Sequence, residues 1–294
     1  MIIDFHTHIF PEKIAERTVG ALASASNSTP YTNGTEAGLI SAMESTGVAL
    51  SVNLPVLTKP TQFESILSFG EQINEKYSAQ ISSILSRGKG ATEAKQTADT
   101  HSVPAILSFA GIHPADEAAE EHLEQISSRG FLGIKIHPDY QGTFFDDDAY
   151  IRIFKKAKSL GLITVTHAGI DGAFVGQPIK CTPERVLRAL DKIGGYDKLV
   201  LAHLGGGKVE DDVIKLLAGE QIYLDTAYLL SKAKKSVILE IIERHGADKI
   251  LFATDSPWSE AARDTAIIKS LGLGVVAENK IFFENALNLL TKQS

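Results

Sequence analysis

The sequence predicts an α/β fold, a single-domain (β/α)8 TIM barrel with an insertion after its first strand. Three observations lead there. Eight short apolar, β-branched runs alternate with longer amphipathic stretches along the 294 residues, as parallel strands joined by right-handed helical crossovers do. The length suits one barrel, because α/β barrels reach it as a single domain. Six of the nine histidines fall at or just after a predicted strand, so a barrel gathers them on the face where barrel active sites lie. The competing arrangement is an open, doubly wound sheet.

The strands are read, in order, at Ile2–Phe5, Val48–Leu54, Val103–Ala110, Phe131–Ile136, Leu162–Thr166, Leu199–Ala202, Ile222–Leu224 and Ile250–Ala253. Helices are expected at Thr61–Tyr77, Asp116–Ser128, Asp147–Leu160, Pro183–Ile193, Val209–Leu217, Lys234–Arg244 and Ser259–Ser270. Apolar spacing of three and four supports them, as in the stripe of Ile151, Phe154 and Ala157. Thr182 before Pro183 is an N-cap followed by proline in the first turn. Gly161 and Gly246 stand where helices should stop. Two regions fall outside the repeat. Residues 10–35, rich in Ala, Ser, Thr and Asn, follow the first strand and are expected as a lid or substrate loop on the face where strands end. Residues 78–102 precede a strand and are expected on the opposite face. Neither low complexity nor a short-period repeat is present.

Composition narrows the function classes. Hydrophobic residues make up 44% and charged residues 22%, a balance that fits a globular protein with a large core. A net charge of −7 argues against nucleic-acid binding driven by a general positive field. Cys181 is the single cysteine, so no intramolecular disulfide forms, in keeping with a reducing compartment. The start Met1-Ile2-Ile3-Asp4-Phe5-His6 lacks a signal-peptide pattern, and no run of about 18 apolar residues suggests a membrane span. The sequons at Asn27 and Asn33 read as chance matches. The expectation is a cytoplasmic protein acting on a small molecule, with no nucleic-acid or membrane partner. A homodimer is compatible with the sequence but not specified by it.

The polar residues at strand ends carry the chemistry. In His6-Thr7-His8, strand alternation puts both imidazoles on one side, where two nitrogens can converge on one ion such as zinc. His167, in Thr164-Val165-Thr166-His167-Ala168-Gly169, is the natural third ligand; the bland alternative is a core histidine satisfied by hydrogen bonds. His203 ends an apolar strand and enters Leu204-Gly205-Gly206-Gly207. These glycines suit close backbone approach, an anion nest, or simply a tight strand-to-helix turn. No phosphate-binding P-loop is formed, since the upstream glycine and the Ser/Thr after Lys208 are missing. His203 reads as a catalytic residue or a second-metal ligand. Asp255, in Phe252-Ala253-Thr254-Asp255-Ser256-Pro257-Trp258, is costly after a buried strand unless paired or metal-bound; otherwise it caps the next helix. Trp258, the single tryptophan, walls a pocket or packs in the core. Asp225 ends the seventh strand and serves substrate, a neighbouring ligand or the following turn. His113 lines the pocket or opens a helix with Pro114, whereas His101, His122 and His245 are expected to be exposed.

This set resembles the amidohydrolase superfamily. The segments Gly133-Ile134-Lys135-Ile136-His137-Pro138, Leu204-Gly205-Gly206-Gly207 and Thr254-Asp255-Ser256-Pro257 look most like its amidohydrolase-2 branch. That branch holds aminocarboxymuconate semialdehyde decarboxylase-like decarboxylases, hydratases and lactone hydrolases. The resemblance spans nearly the whole chain in order. It implies one divalent metal on His6, His8, His167 and Asp255, with zinc first and manganese, iron or cobalt as alternatives. His203 and Asp255 would be the catalytic pair. Binuclear relatives use a carboxylated lysine after strand four, where Lys135 and His137 both stand, so a second metal stays open. Some relatives hydrolyse lactones with no metal.

The mechanism expected from the resemblance has metal-activated water attacking a carbonyl, with Asp255 moving the proton and His203 stabilising the oxyanion. In a decarboxylase the same groups would instead manage protonation of carbon. Substrate contacts are expected from Lys135, His137, Tyr140 and Arg17, a cation suiting a carboxylate; plain exposure is the alternative for Arg17 and Tyr140. Three rivals remain. An HxH-type phosphoesterase would hold three metals, and a TatD-like nuclease would need a glutamate near strand four. A non-catalytic metal-binding barrel needs only a closed metal shell.

Overall fold

The computed structural model describes residues 1–87 and 103–292. Its strands are β1 (Ile3–Thr7), β2 (Leu50–Asn53), β3 (Ala105–Ser108), β4 (Ala110–Gly111), β5 (Gly133–Ile136), β6 (Ile163–Thr166), β7 (Leu199–Leu201), β8 (Tyr223–Asp225) and β9 (Ile250–Leu251). All pair in parallel, in the orders β1-β2-β3 and β4-β5-β6-β7-β8-β9. Only Phe109 separates β3 from β4, so they form one barrel strand with a break. Phe109 N–H still donates to Asn53 O at 2.9 Å. The other edges meet as well. Phe5 N–H donates to Phe252 O at 2.9 Å, Asp255 N–H to His6 O at 2.8 Å and His8 N–H to Ser256 O at 2.7 Å. The ring therefore closes as an eight-stranded (β/α)8 barrel, and the open sheet is excluded.

The expected strands recur with ends shifted by one or two residues; β1 runs on to Thr7 and β8 to Asp225. Helix caps follow the sequence closely. Thr182 accepts from Arg185 N at 3.4 Å ahead of Pro183–Ile193, and Gly194 ends that helix at φ 70. The helix buries Val186, Ala189, Leu190 and Ile193, each buried aliphatic larger than alanine contributing about 1.5–3 kcal/mol. Asp147 accepts from Ala149 N at 2.9 Å and caps Asp148–Ser159. The helix expected over Val209–Leu217 is present as one α-helical turn, Glu210–Asp212, that widens into a π-helix, Val213–Leu217. Gly133 marks a close core contact: a Cβ there would lie 2.5 Å from the Phe109 ring and 2.6 Å from Ile163 O.

The insertion after β1 forms a helix, Glu12–Ser26, ahead of the first crossover helix, Glu36–Thr46. It lies on the face where strands end: Tyr31 N–H donates to Pro257 O at 2.7 Å, and Ser26 packs against Gly172 in the loop after β6. Ser78–Ser86 is helical; the rest of the second irregular region, with His101, lies outside the described residues. Among the described residues no helix is long and apolar enough to cross a membrane.

Candidate metal centre

The C-terminal ends of β1, β5, β6, β7, β8 and the segment after β9 bring their polar side chains together. On β1, Asp4 ties the strand to the segment that carries Asp255. Its carboxylate accepts from His6 N at 3.2 Å, Thr254 N at 3.0 Å and Thr254 Oγ1 at 2.6 Å. Burial pushes the Asp4 carboxyl up to about 7.

Two fixed acceptors orient the histidines of the HxH pair. His6 Nδ1 donates to Asp225 Oδ2 at 2.8 Å, and His8 Nδ1 donates to Leu54 O at 2.9 Å. With neutral rings, a proton on each Nδ1 leaves a lone pair on each Nε2. Both lone pairs face one oxygen: Asp255 Oδ1 is 3.5 Å from His6 Nε2 and 3.1 Å from His8 Nε2. Two imidazole lone pairs and a carboxylate oxygen repel each other unless something positive lies between them. Lys135 partly meets that need, its Nζ donating to His6 Nε2 at 2.9 Å. Burial, opposed by Asp225 and Asp255, holds Lys135 down at about 8. Burial, then the charge of Lys135, keeps His6 well below the usual histidine range. The donor set therefore fits a divalent metal, and Asp225 and the Leu54 carbonyl are the outer partners that a ligating histidine ordinarily has.

His167, expected with these ligands, joins a second group. It stacks on His137 with ring centroids 4.3 Å apart. His137 Nε2 lies 3.3 Å from Asp171 Oδ2, and His167 Nε2 lies 3.8 Å from Asp139 Oδ2. Donor atoms of His6, His8 and Asp255 lie within 4.8 Å of one another, as do those of His137, His167 and Asp171. Burial holds both His137 and His167 well below the usual range. Asp139 is raised to about 6 by burial and then by Asp171.

His203 stands between the groups, its ring 5.8 Å from that of His6 and 4.7 Å from that of His167. Both of its nitrogens are engaged, Nδ1 with Ala227 O at 2.8 Å and Nε2 with His167 Nδ1 at 2.9 Å. To reach a substrate it must release one of them. His203, Leu204 and Asp255 all adopt left-handed backbone, at φ 58, 50 and 68. Such conformations cost non-glycine residues about 1–3 kcal/mol and cluster at functional sites. The glycine turn after His203 serves backbone contact rather than an anion nest. Ile170 N–H donates to Gly207 O at 3.0 Å, and a Cβ on Gly169 would lie 2.4 Å from Gly207 N.

The remaining expectations divide. Tyr140 is half-buried, its ring edge-on to His137 at 4.7 Å and to Phe174 at 5.0 Å, and burial raises its hydroxyl to about 12. Arg17 is not brought to the cluster. It is exposed on Glu12–Ser26, whose buried residues are Ala15 and Val19. Two positions from each, at about 100° per residue, it projects from the opposite side. Lys135 is buried beside His6 at the mouth of the barrel. His113 opens a turn, its Nδ1 accepting from Ala115 N at 3.1 Å. His245, expected to be exposed, is buried at 6%, bonded to Gly219 N and Ile222 O. His122 is half-buried, stacked on Phe63 and paired with Asp116. Trp258 is half-buried.

Three residues of the cluster had no assigned partner in the sequence. Asp225 supports His6, and Asp139 and Asp171 face the stacked histidines. Each lies at or within five residues of a strand end, the one signal that points to them. A cavity of about 520 Å³ lies elsewhere, lined by Asp4, Thr46, Ser51 and Glu260 among others, and none of the six clustered donors borders it.

Imidazole lone pairs and a carboxylate converging at the C-terminal mouth of a (β/α)8 barrel define a metal-dependent barrel enzyme of the hydrolase or decarboxylase class. The chain belongs to the amidohydrolase family, whose model, described as "Amidohydrolase", matches residues 3–291. Similar solved structures share the fold at low identity. An uncharacterised TIM-barrel protein from Bordetella bronchiseptica has a TM-score of 0.71 at 14% identity, covering 98% of each chain. The 5-carboxyvanillate decarboxylase from Sphingomonas paucimobilis has a TM-score of 0.60 at 15% identity, covering 99% of each. A dihydroxybenzoic acid decarboxylase from Polaromonas, with bound manganese and the inhibitor 2-nitroresorcinol, has a TM-score of 0.62 at 17% identity, covering 98% of this chain and 96% of its own. No curated protein matches the chain.

Proposed function

We propose that this enzyme is a divalent-metal-dependent decarboxylase of small, carboxylate-bearing molecules, with His6, His8 and Asp255 as its primary metal ligands and His167 completing the set by a ring movement. The observation that carries the reading is the convergence of the His6 and His8 Nε2 lone pairs on Asp255 Oδ1. Decarboxylation is favoured over hydrolysis by the activities named for the Sphingomonas and Polaromonas structures. Hydrolysis by activated water is the second reading, and the same donor set supports it. We propose zinc as the ion. Manganese is the rival, because it is bound in the Polaromonas relative and both ions accept mixed imidazole and carboxylate ligation.

A cation held there supplies Lewis acidity to substrate oxygens and water. The chain's own residues do the rest. Asp225 and Leu54 O hold the HxH rings in the ligating tautomer. Asp255 moves the proton: it takes one from water, the C–C bond breaks with its electron pair left on the substrate carbon as CO₂ departs, and that carbon takes the proton from Asp255. His203 is proposed first as a positioning residue, fixing the tautomer of His167. Lys135 and Tyr140 are proposed as substrate contacts, with Tyr140 and Phe174 as an aromatic wall that suits an unsaturated or aromatic acid.

Two measurements test this. Metal content by elemental analysis should fall in His6→Ala and His8→Ala, and an unchanged ratio would sink the ligand assignment. Asp255→Asn should abolish CO₂ release from a panel of aromatic and unsaturated acids while the fold persists by circular dichroism. Full turnover in that variant would refute its role.

A further inference from the structure

We propose that the cavity between the barrel wall and the helix Glu36–Thr46 is a binding site for a small aliphatic diamine, held by Asp4 and Ser51 at its inner end and by Glu260 at its outer end. The cavity measures about 520 Å³, within the range of small-molecule sites. It is formed by β1, β2, that helix and the segment after β9. His6, His8 and Asp255 do not border it, so its occupant is not the substrate of the metal centre.

The inner end holds unused hydrogen-bonding capacity. The register pairs Asp4 with Ser51 across β1 and β2, which sets both side chains on one face of the sheet. A carboxylate offers about four acceptor positions. Asp4 Oδ1 accepts from His6 N at 3.2 Å and Thr254 N at 3.0 Å, and Oδ2 accepts from Thr254 Oγ1 at 2.6 Å. Oδ2 therefore keeps a free position. Ser51 is fully buried, borders the cavity, and its Oγ has no hydrogen-bond partner. A buried hydroxyl is costly in that state, and the cavity is the space from which a partner can reach it.

The lining sets the charge of the occupant. Asp4 and Glu260 border the cavity, and no lysine, arginine or histidine is among the described residues that do. Arg263 is engaged beside it: Nε lies 3.5 Å from Asp264 Oδ1, while Nη1 and Nη2 donate to Tyr31 Oη and Ser259 Oγ, both at 2.8 Å. An ammonium carries three donors and no acceptor. One such group meets both the free position on Asp4 and the Ser51 hydroxyl, the first in a charge-assisted bond. Met43 and Val48, both buried, give the methylenes an apolar wall. Glu260 is exposed and takes the second ammonium at the outer end. An acid of similar size would face two carboxylates and no cation in the lining.

Calorimetric titration of the full chain with 1,4-diaminobutane tests the site, with butane-1,4-diol as the uncharged control. The wild type should bind one diamine saturably, and the diol more weakly by about tenfold or more, the worth of a hydrogen bond to a charged group. Ser51→Ala should weaken the diamine by about fivefold at an unchanged or higher melting temperature, because it removes a buried hydroxyl that has no partner. Asp4→Asn, of equal size, should abolish binding. If that variant does not fold, Ala42→Phe, which fills the cavity from the helix, should abolish binding in its place. Glu260→Gln, on the exposed rim, should weaken the diamine without changing the melting temperature. No saturable binding in the wild type, equal affinity for the diol, or unchanged binding in both Ser51→Ala and Ala42→Phe overturns the proposal. Binding lost in Asp255→Asn but kept in Ala42→Phe would put the amine at the metal centre and overturn it too, with the metal-ligand assignment left standing.

Discussion

Asp225→Asn separates the orientation of a metal ligand from the stability of the loop around it. In the wild type, Asp225 Oδ1 accepts from His203 N and Ala227 N, both at 3.0 Å, and Oδ2 accepts from His6 Nδ1 at 2.8 Å. Asparagine keeps one oxygen, and the two backbone N–H groups hold it in place. The amide NH₂ then faces His6 Nδ1, donor against donor. His6 escapes by moving its proton to Nε2, where the metal lone pair should be. Loss of such an outer partner costs about 10–100-fold in metal affinity, or about 1.4–2.7 kcal/mol. The metal-free fold should not suffer, because burial already raises Asp225 to about 6 and a neutral amide removes that penalty. Asp225→Ala differs, stranding two buried N–H donors at about 1–3 kcal/mol each. Calorimetric Zn²⁺ titration with thermal melting of the stripped protein reads both quantities. The asparagine variant should bind the ion held by His6, His8 and Asp255 at least tenfold more weakly at an unchanged or higher melting temperature. The alanine variant should lose both affinity and stability. Wild-type affinity in Asp225→Asn would refute the tautomer reasoning.

Two further outcomes follow from the packing. Asp264 is fully buried, with burial raising its carboxyl from 3.8 to about 6, and it accepts from Ser259 Oγ at 2.5 Å. Its folded pKa is above the unfolded one, so its stabilising contribution is present below pH 3.8 and lost as pH rises through about 6. Asp264→Asn should therefore be more stable than wild type at pH 8 by about 3 kcal/mol, at roughly 1.4 kcal/mol per pH unit, with little difference at pH 3.5; urea denaturation at both values checks the sign. Gly169→Ala sets a Cβ 2.4 Å from Gly207 backbone at φ 83. Backbone cannot yield as a flexible side chain does, so unfolding should become easier by about 3 kcal/mol, and a melting temperature within a degree of wild type would contradict that contact.

Much of the fold was legible because its signals are local. Apolar runs, the Thr182 cap and the Gly161 and Gly246 stops are properties of a few neighbouring residues. His6, His8 and Asp255 were legible because parallel strands carry every strand end to one face. The errors arose where a side chain's fate depends on the far side of the molecule. Arg17 follows the first strand closely, yet its helix turns it outward. His245 ends an exposed-looking helix, yet Gly219 and Ile222 enclose it. The glycine turn after His203 carries no mark that distinguishes an anion nest from contact with Gly169.

The sequence by itself determined the alternation of strands and helices, the barrel and the polar inventory of its mouth, since periodicity and strand direction settle these. Tertiary structure alone decided which donors converge. Nothing in the spacing of His167 sets its ring against that of His137; the stacked rings, 4.3 Å apart, do. Nor does spacing bring Asp225 to His6 across 219 positions. Hydrogen bonds between residues so distant in the chain fix which nitrogen keeps its lone pair, and metal binding depends on that atom.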